Sequence, residues 1–235
     1  MHAENGFTLI ELLIGIAVSA IAMTAVYHFY ITQVETRVIQ EQVAAMQQNI
    51  RVAMSVIERD IRMAGYDPDP SDNKTPGIIT AVSDQIKLSY MGDCDGSNND
   101  DTGGVDDAGE DRLMATVTYV LGDAGGGYDA DTDKDDLKRV FKRRETSGES
   151  HRYFALNIEK IEFFYHMKDG GLTLSPTANR DITGVEITLL ARTAKADPHY
   201  TNNETYKTPG NQIWRGDNDG YRRLMMSQLV SCRNM

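Results

Sequence analysis

Cysteine is scarce in this 235-residue chain, and the scarcity excludes several classes of metal and redox protein. Cys94 and Cys232 cannot supply the four thiolates of a structural zinc or iron–sulfur site, and they lie too far apart for a C-x-x-C redox motif. In a reducing compartment both are expected to remain free thiols. In an oxidising compartment they can pair only with each other, which would tie the end of the chain to the region around Cys94.

Basic residues are also few, with 24 Lys and Arg against 35 Asp and Glu and a net charge of −11. The excess is confined to residues 93–136, where 14 acidic side chains stand against two basic ones. Outside that insert the chain is nearly neutral. A nucleic acid partner is not expected, because the phosphates would be repelled by the acidic insert.

Sequence motifs of catalysis are missing as well. The five histidines show no H-E-x-x-H spacing, and the chain contains no G-x-S-x-G element. The glycine run at 125–127 is flanked by aspartates and is not followed by Lys-Ser/Thr, so it does not resemble a phosphate-binding loop. We therefore expect that the protein is not an enzyme and requires no cofactor.

Proline and glycine are absent from Ala17 to Ala64, which leaves a long stretch free to form a helix. Residues 7–31 are predominantly apolar and carry one formal charge, that of Glu11, and as a helix they would span about 37 Å, more than the roughly 30 Å hydrocarbon core of a bilayer. The preceding MHAENG lacks the basic start of an ordinary secretory signal, and no polar break follows the apolar run. The pattern predicts a membrane helix.

The helical pattern continues over residues 32–65 with a different character. Apolar residues recur there at steps of three and four, with polar residues between them, at Val43, Met46, Ile50, Ala53, Ile57, Ile61 and Ala64. Gly65 is placed to cap the C-terminus, and Pro68 follows it. We therefore predict one continuous helix of about 58 residues, apolar on all sides at first and then amphipathic.

Glu11 is the one charged residue in the apolar run. A carboxylate costs about 2.5–3.5 kcal/mol at the centre of a membrane and less near its edge. One interpretation is that Glu11 lies at the headgroup level and is hydrated. The other is that it has a partner and a function, as intramembrane carboxylates usually do.

The start of the chain resembles the prepilin signal of type IV pilins and type II secretion pseudopilins. The resemblance rests on Gly6-Phe7-Thr8-Leu9-Ile10-Glu11 followed by the apolar run. It implies that a prepilin peptidase cuts between Gly6 and Phe7, removes residues 1–6 and N-methylates Phe7. It further implies that Glu11 neutralises the new α-amine of a neighbouring subunit during assembly, and that Gly15, Ser19, Ala22 and Ala25 allow close helix packing.

The remainder of the chain, residues 66–235, is predicted to form a β-rich domain, which the resemblance implies is periplasmic. Strand-like runs cover Gln85–Met91, Met114–Leu121, Leu137–Lys142, His151–Met167 and Ile182–Thr193, with Tyr221–Cys232 forming a strand or a short helix. The expected fold class is α+β, with one long N-terminal helix packed on an antiparallel sheet that carries loop insertions, and the resemblance implies that this is the type IV pilin fold. No repeat or second globular domain is expected.

The acidic insert at 93–136 offers a second kind of chemistry. Closely spaced aspartates provide the hard oxygen ligands that Ca²⁺ prefers, and the candidates are Asp93, Asp95, Asp129, Asp131 and Asp133. The second run departs from an EF-hand loop, with Lys134 at the glycine position and Val140 at the bidentate glutamate position. The alternative is a solvated acidic loop that binds no metal.

Two further stretches narrow the resemblance to PilW-like minor pilins: Asn49–Pro68, and the closing run that contains ITGVEITLLART and SCRN. That subfamily implies a scarce subunit that primes pilus assembly or caps the tip. Its implied partners are prepilin peptidase, the major pilin, other minor pilins and an inner-membrane assembly platform. The implied location is the bacterial inner membrane as a single-pass protein, and then the pilus. The alternatives are a J-like pseudopilin of type II secretion and a membrane-tethered calcium-binding adhesin or sensor.

Overall fold

The computed structural model of the chain describes residues 8–67, 75–92, 113–121, 137–142 and 150–235. Two units are distinguished and are described separately, residues up to Ala44 and residues from Ala45 to Met235. The second unit begins inside the segment 32–65 that the sequence predicts to be amphipathic. The C-terminal part of the long helix, from Ala45 to Met63, is therefore in the same unit as the strands that follow it.

Helix α1 runs from Leu9 to Met63 without interruption, which confirms the prediction of a single long helix. It ends where predicted, because Gly65 adopts the left-handed conformation with φ of 79° that only glycine accepts readily. The Gly65 N–H donates to the Ser89 carbonyl oxygen at 3.0 Å. A Cβ at this position would collide with the carbonyl of Asn234, so backbone conformation and close packing both require glycine.

In the part of the chain that the structure describes, the strand pairings are antiparallel and belong to three sheets. The first sheet has five strands in the order β1-β2-β3-β4-β5. Its strands are β1 (Ile78–Ala81), β2 (Gln85–Gly92), β3 (Leu113–Leu121), β4 (Leu137–Lys142) and β5 (Ser150–Ala155). Each strand pairs with its neighbour in sequence, so the sheet is a meander.

The second sheet has four strands in the order β11-β8-β6-β7, and a third sheet is a two-stranded ribbon of β9 and β10. The strands of these two sheets are β6 (Ile158–Met167), β7 (Leu172–Thr173), β8 (Ile182–Arg192), β9 (Thr205–Lys207), β10 (Ile213–Arg215) and β11 (Arg223–Ser231). The ribbon packs on the second sheet, where Tyr206 and Trp214 form a buried cluster with Leu190.

Several sequence predictions need correction. The run His151–Met167 is not one strand, because Asn157 takes a positive φ of 58° and separates β5 from β6. The α+β fold class with antiparallel strands is confirmed, and within the described residues these strands form three sheets where the sequence analysis expected one. The short strands β1, β7, β9 and β10 were not predicted, since two to four residues carry little periodic signal. The final run, left open between strand and helix, is the strand β11.

The core of the unit from Ala45 onward combines one face of α1 with the inner faces of the sheets. Ile50, Ile57 and Ile61 of the helix are fully buried at the predicted spacing. In β8 the alternating residues Val185, Ile187 and Leu189 are all buried, and the residues between them are also largely covered. At about 25 cal/mol per Å², burying such side chains is the main stabilising contribution.

Hydrogen bonds attach the C-terminal part of α1, from Ala45 to Met63, to the rest of its unit. The Tyr119 hydroxyl in β3 donates to the buried Asp60 carboxylate at 2.6 Å. The Asn234 side-chain amide donates to the Arg62 carbonyl oxygen at 3.0 Å, which satisfies one of the carbonyls left open at the helix end. These contacts fix the C-terminal end of α1 within the unit from Ala45 onward.

Charge pairs reinforce the start of β11. The Arg223 guanidinium is 1% exposed and bonds both Glu159, at 2.5 and 2.9 Å, and Asp219, at 2.7 Å through each of two nitrogens. Hydrogen bonds from Arg223 hold the pKa of the Asp219 carboxyl below its usual range. Both carboxylates thus anchor Arg223 inside the fold.

Candidate assembly site at the N-terminal helix

The predicted site residues fall into two groups. Glu11 is described by the structure, whereas Gly6, Phe7 and Cys94 lie outside the described residues. The five aspartates predicted as calcium ligands also lie outside them, at Asp93, Asp95, Asp129, Asp131 and Asp133. Cleavage, the disulfide and calcium binding therefore stay predictions.

Cys232, the predicted partner of Cys94, lies directly after β11. Its N–H donates to the Thr183 carbonyl oxygen at 2.9 Å, and its side chain is half-buried. Burial raises the pKa of the Cys232 thiol to about 11, so at neutral pH it is protonated and a poor nucleophile. Within the described residues no group of three or more His, Cys, Asp or Glu side chains is arranged to hold a metal ion.

Glu11 is bound to its own helix terminus. Its Oε2 accepts hydrogen bonds from the Thr8 N–H and from the Thr8 hydroxyl, both at 2.9 Å, and the Thr8 Oγ1 accepts the Glu11 N–H at 3.3 Å. This reciprocal arrangement is a capping box, which satisfies two N–H groups that a helix leaves open at its start. Glu11 thus has a partner within the chain, which neither interpretation from the sequence included.

Thr8 is the site residue that the sequence analysis missed. The signal was present as Thr-x-x-Glu immediately before the apolar run, which is the usual sequence pattern of a capping box. The sequence analysis assigned roles within this motif only to Gly6, Phe7 and Glu11. Thr8 orients the Glu11 carboxylate toward the end of the chain from which the mature N-terminus would emerge.

The helix that follows Glu11 exposes apolar side chains on every side. Residues 8–38 are all exposed within this chain, and the side chains of Leu9, Ile21, Met23 and Phe29 are between 67% and 77% exposed. Exposed apolar area of this extent is rare on a soluble protein, and it indicates a membrane or another protein as the environment. Among the described residues, one helix is long and apolar enough to cross a membrane, and it is this one.

A shallow groove runs along one side of the helix from the Glu11 carboxylate. It is lined by Glu11, Leu12, Gly15, Ile16, Ser19, Ala20 and Met23. Gly15 and Ser19 create the groove because they lack large side chains, and the Ser19 hydroxyl is satisfied by the Gly15 carbonyl at 2.7 Å. Of the four small residues expected to allow close packing, the groove brings these two together with Glu11, whereas Ala22 and Ala25 do not line it.

Comparisons with known proteins bear on the N-terminal motif and on the fold. The family model described as the prokaryotic N-terminal methylation motif matches residues 1–27. A type IV-like pilin from Thermus thermophilus is similar in structure, with a TM-score of 0.52, 14% identity, and coverage of 80% of this chain and 97% of that chain. No curated protein matches the chain.

A second solved structure is a binary complex of two pseudopilins from the type 2 secretion system of Vibrio vulnificus. It covers 80% of this chain and 93% of its own, at 10% identity, and its TM-score of 0.43 adds nothing to the fold assignment. The assignment depends on the matched motif, the long helix and the antiparallel sheets. The chain therefore carries the prokaryotic N-terminal methylation motif of prepilins on a type IV pilin-like fold.

Proposed function

We propose that the protein is a minor pilin of a type IV pilus, processed by prepilin peptidase and acting in the priming of assembly or at the pilus tip. The observation that carries the proposal is the exposed apolar helix that begins within the methylation motif. Such a helix needs a bilayer before assembly and neighbouring helices afterwards. It anchors the chain in the inner membrane, with residues 66–235 in the periplasm.

Processing would change the surroundings of Glu11. Cleavage between Gly6 and Phe7 creates an α-amine one residue before Thr8, and the reference pKa of such an amine, about 7.7–8.0, leaves it largely cationic at neutral pH. Thr8 already directs one carboxylate oxygen toward the helix start. A neighbouring subunit's Phe7 amine would meet that carboxylate in a contact that excludes water, which makes docking depend on helix register.

Residue 11 needs only an acceptor oxygen to cap the helix, but it needs a negative charge to pair with an amine. Substitutions can therefore distinguish the two roles. Glutamine fills the same capping-box position as glutamate but carries no charge. Glu11→Gln keeps the bonds to Thr8 and removes the pairing, and Glu11→Ala removes both. Thr8→Ala keeps the charge and removes the cap, at about 1 kcal/mol.

The experiment compares these three variants with wild type in the membrane and sheared pilus fractions, by quantitative immunoblot. We expect all three to insert and to lose the leader. Glu11→Ala and Glu11→Gln should both be depleted from the pilus fraction, because truncating one side of a desolvated charge pair costs about 2–5 kcal/mol, roughly 30- to several-thousand-fold in association. Thr8→Ala should be incorporated at a level closer to wild type.

Each contrary outcome has a defined meaning. Normal incorporation of Glu11→Gln with loss of Glu11→Ala would assign the glutamate to capping alone. Equal incorporation of all variants would mean that residue 11 is not an assembly contact. Absence of the wild-type chain from sheared pili would contradict the minor pilin proposal itself, and it is the result expected of a membrane-tethered calcium-binding adhesin or sensor.

A J-like pseudopilin would have the same helix and the same processing, so these fractions do not separate it from a minor pilin. Deletion of the gene does. Loss of piliation or twitching motility supports the proposed function, whereas loss of enzyme export with normal piliation supports type II secretion.

A further inference from the structure

Four residues with aromatic rings stand in a row where the apolar run of α1 ends: Tyr27, His28, Phe29 and Tyr30. Successive residues of an α-helix are turned by about 100°, so four in a row point to all sides at one level of the helix. Tyr27, Phe29 and Tyr30 are between 62% and 67% exposed within the chain, and His28 is exposed as well. We call these four residues the aromatic collar. Because the collar surrounds the helix, it fits an environment that is the same on every side better than a partner on one face.

The chain changes character at the aromatic collar. In residues 12–26 the side-chain polar groups are those of Ser19 and Thr24, and each hydroxyl donates to the carbonyl oxygen four residues earlier, at 2.7 and 2.9 Å. A hydrocarbon environment requires such internal bonding, because it offers no hydrogen-bond partners. Residues 32–37, shortly after the collar, read TQVETR and are mostly polar. Tyrosine and histidine combine an apolar ring with a polar group, which suits them to the level where hydrocarbon meets lipid headgroups.

The rise of the helix gives the distance between the aromatic collar and the Glu11 carboxylate. Thr8 precedes Tyr27 by 19 positions, which corresponds to about 28 Å along the helix axis. The Glu11 Oε2 lies 2.9 Å from the Thr8 nitrogen, so the carboxylate is held at the level of Thr8. The hydrocarbon core of a bilayer is about 30 Å thick. The carboxylate and the collar are therefore separated by about one hydrocarbon thickness.

We propose that the aromatic collar binds the headgroup region of the periplasmic leaflet and sets the depth of α1, so that the Glu11 carboxylate lies at the opposite boundary of the bilayer. This inference rests on the proposed membrane anchoring and adds the residues that mark both boundaries. The bonds from Thr8 hold the carboxylate at that boundary. The carboxylate stays hydrated among the headgroups until the Phe7 amine of a neighbouring subunit covers it. Hydration and pairing are then successive states of the same group.

A boundary at Glu35, the first Asp, Glu, Lys or Arg after Glu11, fits less well. The two glutamates are about 36 Å apart along the helix, so a 30 Å hydrocarbon core would contain this segment only at a tilt of about 34°, against an average of about 20°. The polar groups of the aromatic collar would then lie inside the hydrocarbon, where a polar group without a partner is costly. The register with the boundary at the collar avoids both costs.

Photo-labelling by lipids tests the proposal on the wild-type full chain in vesicles of phosphatidylethanolamine and phosphatidylglycerol. One phospholipid probe carries a diazirine next to the glycerol and the other carries it at the end of an acyl chain, and mass spectrometry locates the adducts. We expect the glycerol-level probe to label residues 27–30 and 8–11 most strongly, and the acyl-end probe to label residues 15–22. A glycerol-level maximum at residues 32–37, with the collar labelled from the acyl ends, would overturn the inference and leave membrane anchoring intact. Absence of labelling of α1 by either probe would contradict the proposed anchoring as well.

A variant of the aromatic collar then tests whether the collar sets the depth. The test variant combines Tyr27→Leu, His28→Leu, Phe29→Leu and Tyr30→Leu. We expect its glycerol-level maximum to move by about one helical turn, to residues 31–34, because the apolar run then continues through the collar positions. The matched control combines Tyr27→Trp with Tyr30→Trp, which keeps amphipathic rings and should keep the maximum at residues 27–30. A maximum that stays at residues 27–30 in the leucine variant would show that the collar does not set the depth. If the leucine variant fails to insert, the wild-type labelling decides alone.

Discussion

Isoleucine side chains have opposite exposure in the two parts of helix α1. Ile21 is 72% exposed, whereas Ile57 is fully buried, although both lie in one uninterrupted helix. From Ala45 onward the chain supplies its own cover in the form of sheets, and the apolar residues follow one face of the helix. In residues 9–31 the apolar residues follow no face, which indicates a membrane or another protein as their environment. A helix with apolar residues on one face packs against its own chain on that face. A helix with apolar residues on every side needs an apolar environment all round.

A matched pair of alanine substitutions tests this difference in burial, and it should have the largest effect on stability. Ile57→Ala should lower the free energy of unfolding by about 2–5 kcal/mol, because it opens a cavity in a closed core. Ile21→Ala should change it by less than about 0.5 kcal/mol. Urea titration in detergent, followed by fluorescence of the sole tryptophan, Trp214, measures both. Equal effects at the two positions would mean that the exposed segment is packed within the chain.

A smaller effect is expected from the hydrogen bond that attaches α1 to β3. Tyr119→Phe removes the hydroxyl that donates to the Asp60 carboxylate, whose side chain is 3% exposed. Losing a donor to a buried charged group should cost about 1–3 kcal/mol in the same titration. Tyr66→Phe, at a 41% exposed position, is the control and should change stability by less than about 0.5 kcal/mol. If the two variants behave alike, the contact does not secure the helix.

The smallest expected effect is on the acid dependence of the unit from Ala45 onward. The pKa of Asp219 is lowered mainly by hydrogen bonds from Arg223, with further help from the Tyr221 N–H and the charge of Arg192. The unfolded chain therefore binds a proton at Asp219 at higher pH than the folded chain does. The stabilisation is present above the unfolded pKa of about 3.9 and is lost as pH falls through the lower folded value.

Unfolding free energies measured between about pH 5 and pH 2 check this linkage. Asp219→Asn should show a shallower loss of stability on acidification than wild type. Asp217→Asn, at an exposed neighbouring position, should keep the wild-type slope. Identical slopes for wild type and Asp219→Asn would mean that this carboxylate does not contribute to acid sensitivity.

The parts of the fold that the sequence predicts are those with a long, repeated signal. The helix follows from the absence of breakers between Ala17 and Ala64 and from Gly65 at its end, and β8 follows from its two-residue alternation. The division into three sheets depends on contacts between distant residues, such as the Tyr165 hydroxyl bonded to the Val82 carbonyl at 2.9 Å. No local pattern encodes such a contact.

In the candidate site, too, the local contacts were predictable from the sequence and the distant ones were not. Glu11 stands out in the sequence because a charge in an apolar run is costly, and the structure places it at the helix terminus as its position implies. Its bonds to Thr8 were predictable from the Thr-x-x-Glu spacing. The carboxylates of Glu159 and Asp219 that hold Arg223 were not, because one of them lies 64 residues away from it in sequence.

Mass spectrometry of the N-terminal peptide shows whether the apolar helix belongs to a processed prepilin. Protein extracted from membranes of cells that contain prepilin peptidase should begin at N-methylated Phe7. In cells that lack the peptidase, the same chain should keep residues 1–6. An intact Met1 terminus in the presence of the peptidase, or cleavage after Ser19 or Ala20, would contradict the account.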